Sequence, residues 1–209
     1  MAVLAAAAVH LAGSGCELWT PSRRRSMERE QAIALVREHI PQQNLVNHCI
    51  AVEILMGALA ERLGVGSEEK RKWELAGLLH DLDYAQTADD PERHGLVTAQ
   101  MLAGQVEEGI IHAILAHAEK APRERPMDTA LYAADPTTGF IVAAALVRPE
   151  KKLSAVELKS LKKRWKEKAF ARGASREQMA TCEDLGLSRD EFLGVCLEAM
   201  KERAEEIGL

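Results

Sequence analysis

Aromatic side chains are scarce in this 209-residue chain, where three Phe, two Tyr and three Trp make up 4% of the residues. Proteins that stack single-stranded bases on aromatic platforms need more of them. A surplus of positive charge is missing too. The 27 Lys and Arg are outnumbered by 32 Asp and Glu, for a formal charge of −5, the wrong sign for a general nucleic-acid binder. The four cysteines, Cys16, Cys49, Cys182 and Cys196, are scattered, and no CxxC pair occurs. That argues against zinc knuckles and dithiol redox motifs, and reduced thiols in a cytoplasmic protein are the simplest reading. No strand-like alternation of apolar and polar residues is found, and no Glu-x-x-His, so a ferritin-like bundle is disfavoured.

The apolar stretch at the start, MAVLAAAAVHLAGSGC, is too short to span a bilayer. Arg23, Arg24 and Arg25 follow it, whereas a signal peptide carries its positive charge in front. Residues 1–26 are expected to be a disordered or weakly helical extension, with Met27 as the expected native start.

From Met27 onward the 47% hydrophobic content is laid out with helical spacing. Ile33, Val36 and Ile40 mark a helix that Pro41 ends, and Leu45, His48, Val52, Leu55 and Leu59 share one stripe closed by Gly64 and Gly66. Ser67 with Glu68 and Glu69 predicts an N-cap, opening a helix through Trp73 and Ala76 to His80. Further helices are predicted around His94 to Leu102, Val106 to His117, and Leu131 to Val147, the last with a boundary or kink near Asp135 because Pro136 follows. A basic helix then carries Leu158, Leu161 and Trp165, and a last one is capped by Ser188. The predicted architecture is an all-α globule: a domain over 27–150 and a C-terminal helical extension, 151–209, packed on it.

His80 and Asp81 stand side by side at the end of the apolar run WELAGLLHDLDY. His48, His80 and His117 each fall on an inward stripe, while His112 lies on another face of its helix. His94 is placed to reach across a cleft, and Asp135 is flanked by apolar residues that would bury it. Any one inward histidine, taken alone, is more often a core residue bonded to backbone, and Asp81 alone could cap the next turn. A buried carboxylate is costly unless it is paired or bound to a cation, however, and several such positions recur in this chain. Imidazole with carboxylate suits iron, manganese, zinc or cobalt, and the carboxylates are too few for calcium.

The ordered set His48, His80-Asp81 and Asp135, with the phrases NLVNHCIAVE, LAGLLHDLDY, ERHGLVTAQML and ALYAADPTTGFIVAAALV, resembles the HD-domain superfamily of metal-dependent phosphohydrolases, especially its small bacterial members. The resemblance covers about Met27 to Val147. It implies an HD-domain-like helical fold with extra C-terminal helices, and His48, His80, Asp81 and Asp135 as core metal ligands. His94 and His117 match the histidines that hold a second ion in two-metal members, with Asp81 bridging. One or two divalent ions (Fe, Mn, Zn, Co or Mg) would then activate a water for in-line attack on a small anionic phosphorylated substrate. Asp81 is the expected catalytic carboxylate, and Asp83 is expected to orient either the water or a ligand imidazole. No membrane and no nucleic-acid duplex is expected as partner. Two alternatives stay open: a di-iron oxygenase of the same fold, and a non-catalytic metal- or nucleotide-binding sensor. The cluster Lys151 to Arg172 reads first as a solvated helix face and second as a funnel for an anionic substrate.

Overall fold

The computed structural model describes residues 27–209. The expected N-terminal extension and Cys16 lie outside them. Among the described residues there are ten α-helices and three short 3-10 turns, without a strand. The helices are α1 (Arg29–His39), α2 (Gln43–Arg62), α3 (Ser67–Leu79), α4 (Tyr84–Thr87), α5 (Leu96–Leu102), α6 (Glu108–His117), α7 (Pro126–Leu146), α8 (Leu158–Trp165), α9 (Arg176–Ala180) and α10 (Arg189–Glu202). No described helix is long and apolar enough to cross a membrane.

Two long helices organise the rest: α2 packs on α3, α7 and α10, while α7 also meets α6 and α9. The α2–α3 contact is close because Gly77 lies in it. A Cβ added there would sit 2.8 Å from the Val52 carbonyl oxygen and 2.9 Å from the Glu53 nitrogen. A residue with no side chain therefore lets the α3 backbone rest on α2, which draws His48 of α2 toward His80 at the end of α3. Leu55, Leu59, Leu79, Ile110, Ile114, Phe140 and Phe192 fill the space between helices and are fully buried. Each contributes roughly 1.5–3 kcal/mol by leaving water.

Several boundaries differ from the sequence reading. Gly66, not Ser67, is the N-cap of α3, and Ser67 is its first helical residue. His94 lies in a turn before α5, whose N-cap Gly95 has φ 77°. No helix boundary falls at Asp135. Instead α7 runs through Pro136, and the hydroxyls of Thr137 and Thr138 donate to the carbonyls of Ala133 (2.7 Å) and Asp135 (2.9 Å) around it. Pro126 is the first residue of α7, where its missing N–H costs nothing. Leu146 and Val147, the last apolar residues of that stretch, are exposed. Pro41 and Ser188 act as expected: α1 stops before the first, and the second accepts from the Glu191 N–H.

Candidate metal centre

Six side chains from α2, α3, α6, α7 and the loops after α3 meet at one place. His48 Nε2 lies 3.2 Å from Asp135 Oδ1 and 3.6 Å from Asp81 Oδ2. His80 Nε2 is 3.4 Å from the same Asp81 oxygen and 3.8 Å from Asp135 Oδ1. The other Asp81 oxygen, Oδ1, is 3.5 Å from His94 Nε2 and 3.6 Å from His117 Nε2. Asp81 thus stands between two pairs of imidazoles, one pair for each oxygen. Three overlapping groups have donor atoms within 4.8 Å of one another and could hold a metal ion: His48, His80 and Asp81; His80, His117 and Asp135; and Asp81, His94 and His117.

Each imidazole is held from behind by its other nitrogen. His80 Nδ1–H donates to the Gly77 carbonyl at 2.8 Å, and His117 Nδ1–H to that of Ile114. His48 Nδ1 bonds the Thr138 hydroxyl at 2.9 Å. Because Thr138 donates its proton to the Asp135 carbonyl, it accepts from the ring. His94 Nδ1 lies 2.9 Å from Asp83 Oδ1. With Nδ1 as the donor in all four rings, every Nε2 keeps its lone pair toward the centre, as metal ligation requires.

Burial tests whether these residues fit a cation. His80 Nε2 and His117 Nε2 are shut off from solvent and have no hydrogen-bond partner among the described residues. An unsatisfied buried nitrogen costs about 1–3 kcal/mol, so two of them aimed at one carboxylate make sense as ligands to a cation between them. Imidazole and carboxylate donors suit a first-row divalent ion.

Without a cation the charges shift strongly. Burial opposes the imidazolium of His80, but Asp81 and Asp135 outweigh it and push its pKa up to about 9. Burial would likewise raise Asp81, yet His80 and His117 hold its carboxyl well below the usual range. Asp135 is held low by His48 and His80 against the same desolvation. At Asp83, desolvation is overcome by His94 and by the backbone of Thr98 and Gly95, and the pKa falls. Both Asp83 oxygens are occupied, since Oδ2 accepts from the Gly95 and Thr98 N–H groups at 2.8 and 3.0 Å. The residue is fully buried behind His94.

The chain matches the model described as HD domain over residues 45–177, more than half its length. It belongs to the HD domain family. The family falls within a superfamily of metal-dependent phosphohydrolases, and this chain shares its helical fold and carries His/Asp groups that could hold a metal. The match runs past residue 150, where the sequence reading put the end of the domain. The chain is 35% identical over 99 residues to Ribonuclease Y from Nitratidesulfovibrio vulgaris (strain DP4), covering 46% of this chain and 18% of that one. It is 37% identical over 98 residues to Ribonuclease Y from Oleidesulfovibrio alaskensis, with 46% and 18% covered. With Ribonuclease Y from Thermotoga maritima it is 31% identical over 139 residues, covering 65% of this chain and 27% of that one. The chain therefore spans about a quarter or less of the curated relatives it matches. No solved structure matches it.

Beside the centre opens a cleft of about 820 Å³, lined by His94, His117 and Asp135 and walled by Glu92, Glu119, Lys120, Tyr132, Ser175 and Gln178. The loop before His94 reaches it through Pro91 and Glu92, and the segment after α6 through Lys120. Ser175, Glu177 and Gln178 come from the far end of the sequence and were not foreseen, because nothing local marks them as facing a cleft. None of the basic residues between Lys151 and Arg172 lines it. Lys162, Lys163 and Lys166 instead border a separate groove shared with Glu183 and Asp190. His112, set aside from the ligand set, is half-buried with Nδ1 3.1 Å from Asp128. Arg93 is exposed and outside the cleft lining.

Proposed function

We propose that this HD-domain chain is a metal-dependent phosphohydrolase that binds two divalent ions and cleaves a phosphate ester or anhydride of a nucleotide or other small metabolite. The observation that carries the reading is the position of Asp81. Its two oxygens face separate imidazole pairs, and one nitrogen in each pair is buried without a partner. Such a carboxylate suits two ions better than one. His48, His80, Asp81 and Asp135 would hold the first, and Asp81, His94 and His117 the second. When bound, a divalent pair supplies a deprotonated water near neutral pH and neutralises charge on the phosphoryl oxygens.

The chain's own residues supply position. Asp81 is the catalytic carboxylate in the sense that it would contribute a ligand to each ion. Asp83, behind His94, keeps that ring in the tautomer with Nε2 free. Lys120 stands at the cleft, 3.3 Å from Glu92, where its ammonium can swing to a phosphate.

Similarity to Ribonuclease Y favours a second substrate class, the phosphodiesters of RNA. The net charge and the carboxylates Glu92, Glu119 and Glu177 in the cleft argue for a small substrate instead. The test is phosphate release from nucleotides and sugar phosphates, alongside cleavage of single-stranded RNA, with Mn, Fe, Co, Zn and Mg each supplied. The expected result is turnover of a small phosphorylated compound that Asp81→Ala abolishes, with about two ions per chain. Oxygen consumption by the iron-loaded protein without phosphate release would overturn the reading in favour of an oxygenase. Tight nucleotide binding without turnover under any metal would make the chain a sensor.

A further inference from the structure

Four helical segments among the described residues close with the same pair of backbone bonds, and in three of them a glycine takes the left-handed position. After α2, Gly64 N–H donates to Glu61 and Val65 N–H to Ala60. After the turn Thr181–Leu185, Gly186 donates to Glu183 and Leu187 to Cys182. After Ala204–Ile207, Gly208 donates to Glu205 and Leu209 to Ala204. These three glycines have φ between 71° and 76°. The fourth closure follows α6, where Glu119 donates to Ala116 (3.2 Å) and Lys120 to Leu115 (2.8 Å), and there the left-handed residue is Glu119, with φ 59°. A side chain is disfavoured at this position, and glycine is the usual solution. Lys151 and Ala171 also have positive φ, but neither makes this pair of bonds or lines the cleft.

Glu119 is also the closure beside the cleft, two residues after His117. Its Oε1 accepts the Tyr132 hydroxyl at 2.6 Å, and the Tyr132 ring is covered by the Arg123 guanidinium at 4.0 Å. The second carboxylate oxygen has no donor among the described residues, in a side chain that lines the cleft. A strained conformation held next to a site is how function is retained at the expense of local stability.

We propose that Glu119 is the specificity-determining residue of the cleft and reads a hydroxyl group on the leaving-group side of a phosphomonoester. This rests on the phosphohydrolase reading above. A carboxylate accepts hydrogen bonds and repels phosphate, so it faces the part of the substrate away from phosphorus. Lys120, next to it in the chain and in the cleft wall, and Arg123, stacked on the Tyr132 ring, disfavour an ammonium and leave a neutral hydroxyl as the matching donor. Ser175 and Gln178 add neutral hydrogen-bonding groups that suit a sugar or other polyol.

The experiment compares kcat/KM for ribose 5-phosphate and pentyl phosphate in the full chain, in Glu119→Gly and in Glu119→Gln, and records thermal melting of all three. The wild type should favour ribose 5-phosphate. In Glu119→Gly that ratio should fall about tenfold or more, the usual effect of losing a hydrogen bond to a charged acceptor. Its Tm should stay level or rise by about 2–4 °C as the backbone strain is released. Glu119→Gln, which still accepts from Tyr132, should recover part of the ratio. An unchanged ratio in Glu119→Gly overturns the inference. So does a Tm drop of more than about 5 °C with both substrates falling together, which would make Glu119 a structural residue. A wild type that releases phosphate from no phosphomonoester overturns this inference without reference to the variants, whereas the hydrolase reading falls only if nucleotide anhydrides and RNA are left intact as well.

Discussion

Replacing Asp83 by Asn tests the centre without touching it. One Asp83 oxygen lies where the N–H groups of Gly95 and Thr98 converge, at 2.8 and 3.0 Å, and the other is 2.9 Å from His94 Nδ1. In the variant the remaining oxygen must face the two backbone donors, because an NH2 there would meet N–H against N–H. The new NH2 then faces His94, whose Nδ1 has to accept. The ring proton moves to Nε2, which now points a hydrogen at Asp81 Oδ1, 3.5 Å away, and can no longer ligate. All three bonds to Asp83 lose their charge assistance, a loss of about 2–4 kcal/mol, or a Tm drop of roughly 4–16 °C for a chain of this size. Asp83→Ala is less informative, since three stranded donors at about 1–3 kcal/mol each approach the whole stability of a domain. In Asp83→Asn the affinity for the ion held by His94 and His117 should fall about 10–100-fold, with the first ion bound as before. Equilibrium dialysis against graded free Mn or Zn, read as ions per chain, measures this. Retention of both ions at wild-type affinity would refute the tautomer argument, and loss of both would refute the division into two positions.

Four further outcomes follow from the same structure. The metal-free protein should lose stability as pH rises, because the His80 pKa is raised from the ordinary 6.5 to about 9. That contribution is fully present below 6.5 and gone once the pH passes 9, and urea unfolding of chelator-treated protein across this window measures it. Metal affinity should climb over the same range as protons stop competing for the ring. Gly77→Ala puts a methyl 2.8 Å from the Val52 carbonyl and 2.9 Å from the Glu53 nitrogen, backbone atoms that cannot turn aside. A destabilisation of about 1–3 kcal/mol is expected by melting, with weaker binding of the first ion as α2 and α3 part. Asp128→Ala removes a fully buried carboxylate that accepts from the Glu124 and Arg125 N–H groups and pairs with Arg125 and His112. It should cost about 2–4 kcal/mol while leaving the ions per folded chain unchanged.

Helix spacing made most of the fold readable before any coordinates. His48, His80 and His117 share stripes with Val52, Ala76 and Ile114, which are fully buried. What could not be read depends on contacts between distant segments. Gly77 is an ordinary glycine until α2 is laid against α3, Thr138 an ordinary helical threonine until it meets His48, and Ser175 and Gln178 ordinary surface residues until α9 docks on α7. The helix through Pro136 was hidden for a related reason, since local rules favour a break and tertiary packing overrides them. The left-handed Glu119 has no signature in HAEK, where no glycine announces the end of α6.

Local chemistry nevertheless decides how two of the four imidazoles are presented. His80 is the C-cap of α3 and His117 the last residue of α6. At a helix C-terminus the last carbonyls lack intrahelical partners or hold them at long range, as Ile114 holds the Ala118 N–H at 3.4 Å. A histidine there can give its Nδ1 proton to the carbonyl three residues back, as His80 does to Gly77 and His117 to Ile114, which turns Nε2 outward past the helix end. Both helices also bring the negative end of their dipole to the same place, each equivalent to about half an elementary charge. Cation attraction and the ligating tautomer therefore come from one device, a histidine ending an apolar helix. His48 sits inside α2, where the carbonyls are already used, and so needs Thr138 from another helix to fix its ring. Thr138→Val should accordingly loosen His48 alone, whereas no single side-chain substitution removes the acceptors behind His80 and His117, because those are backbone.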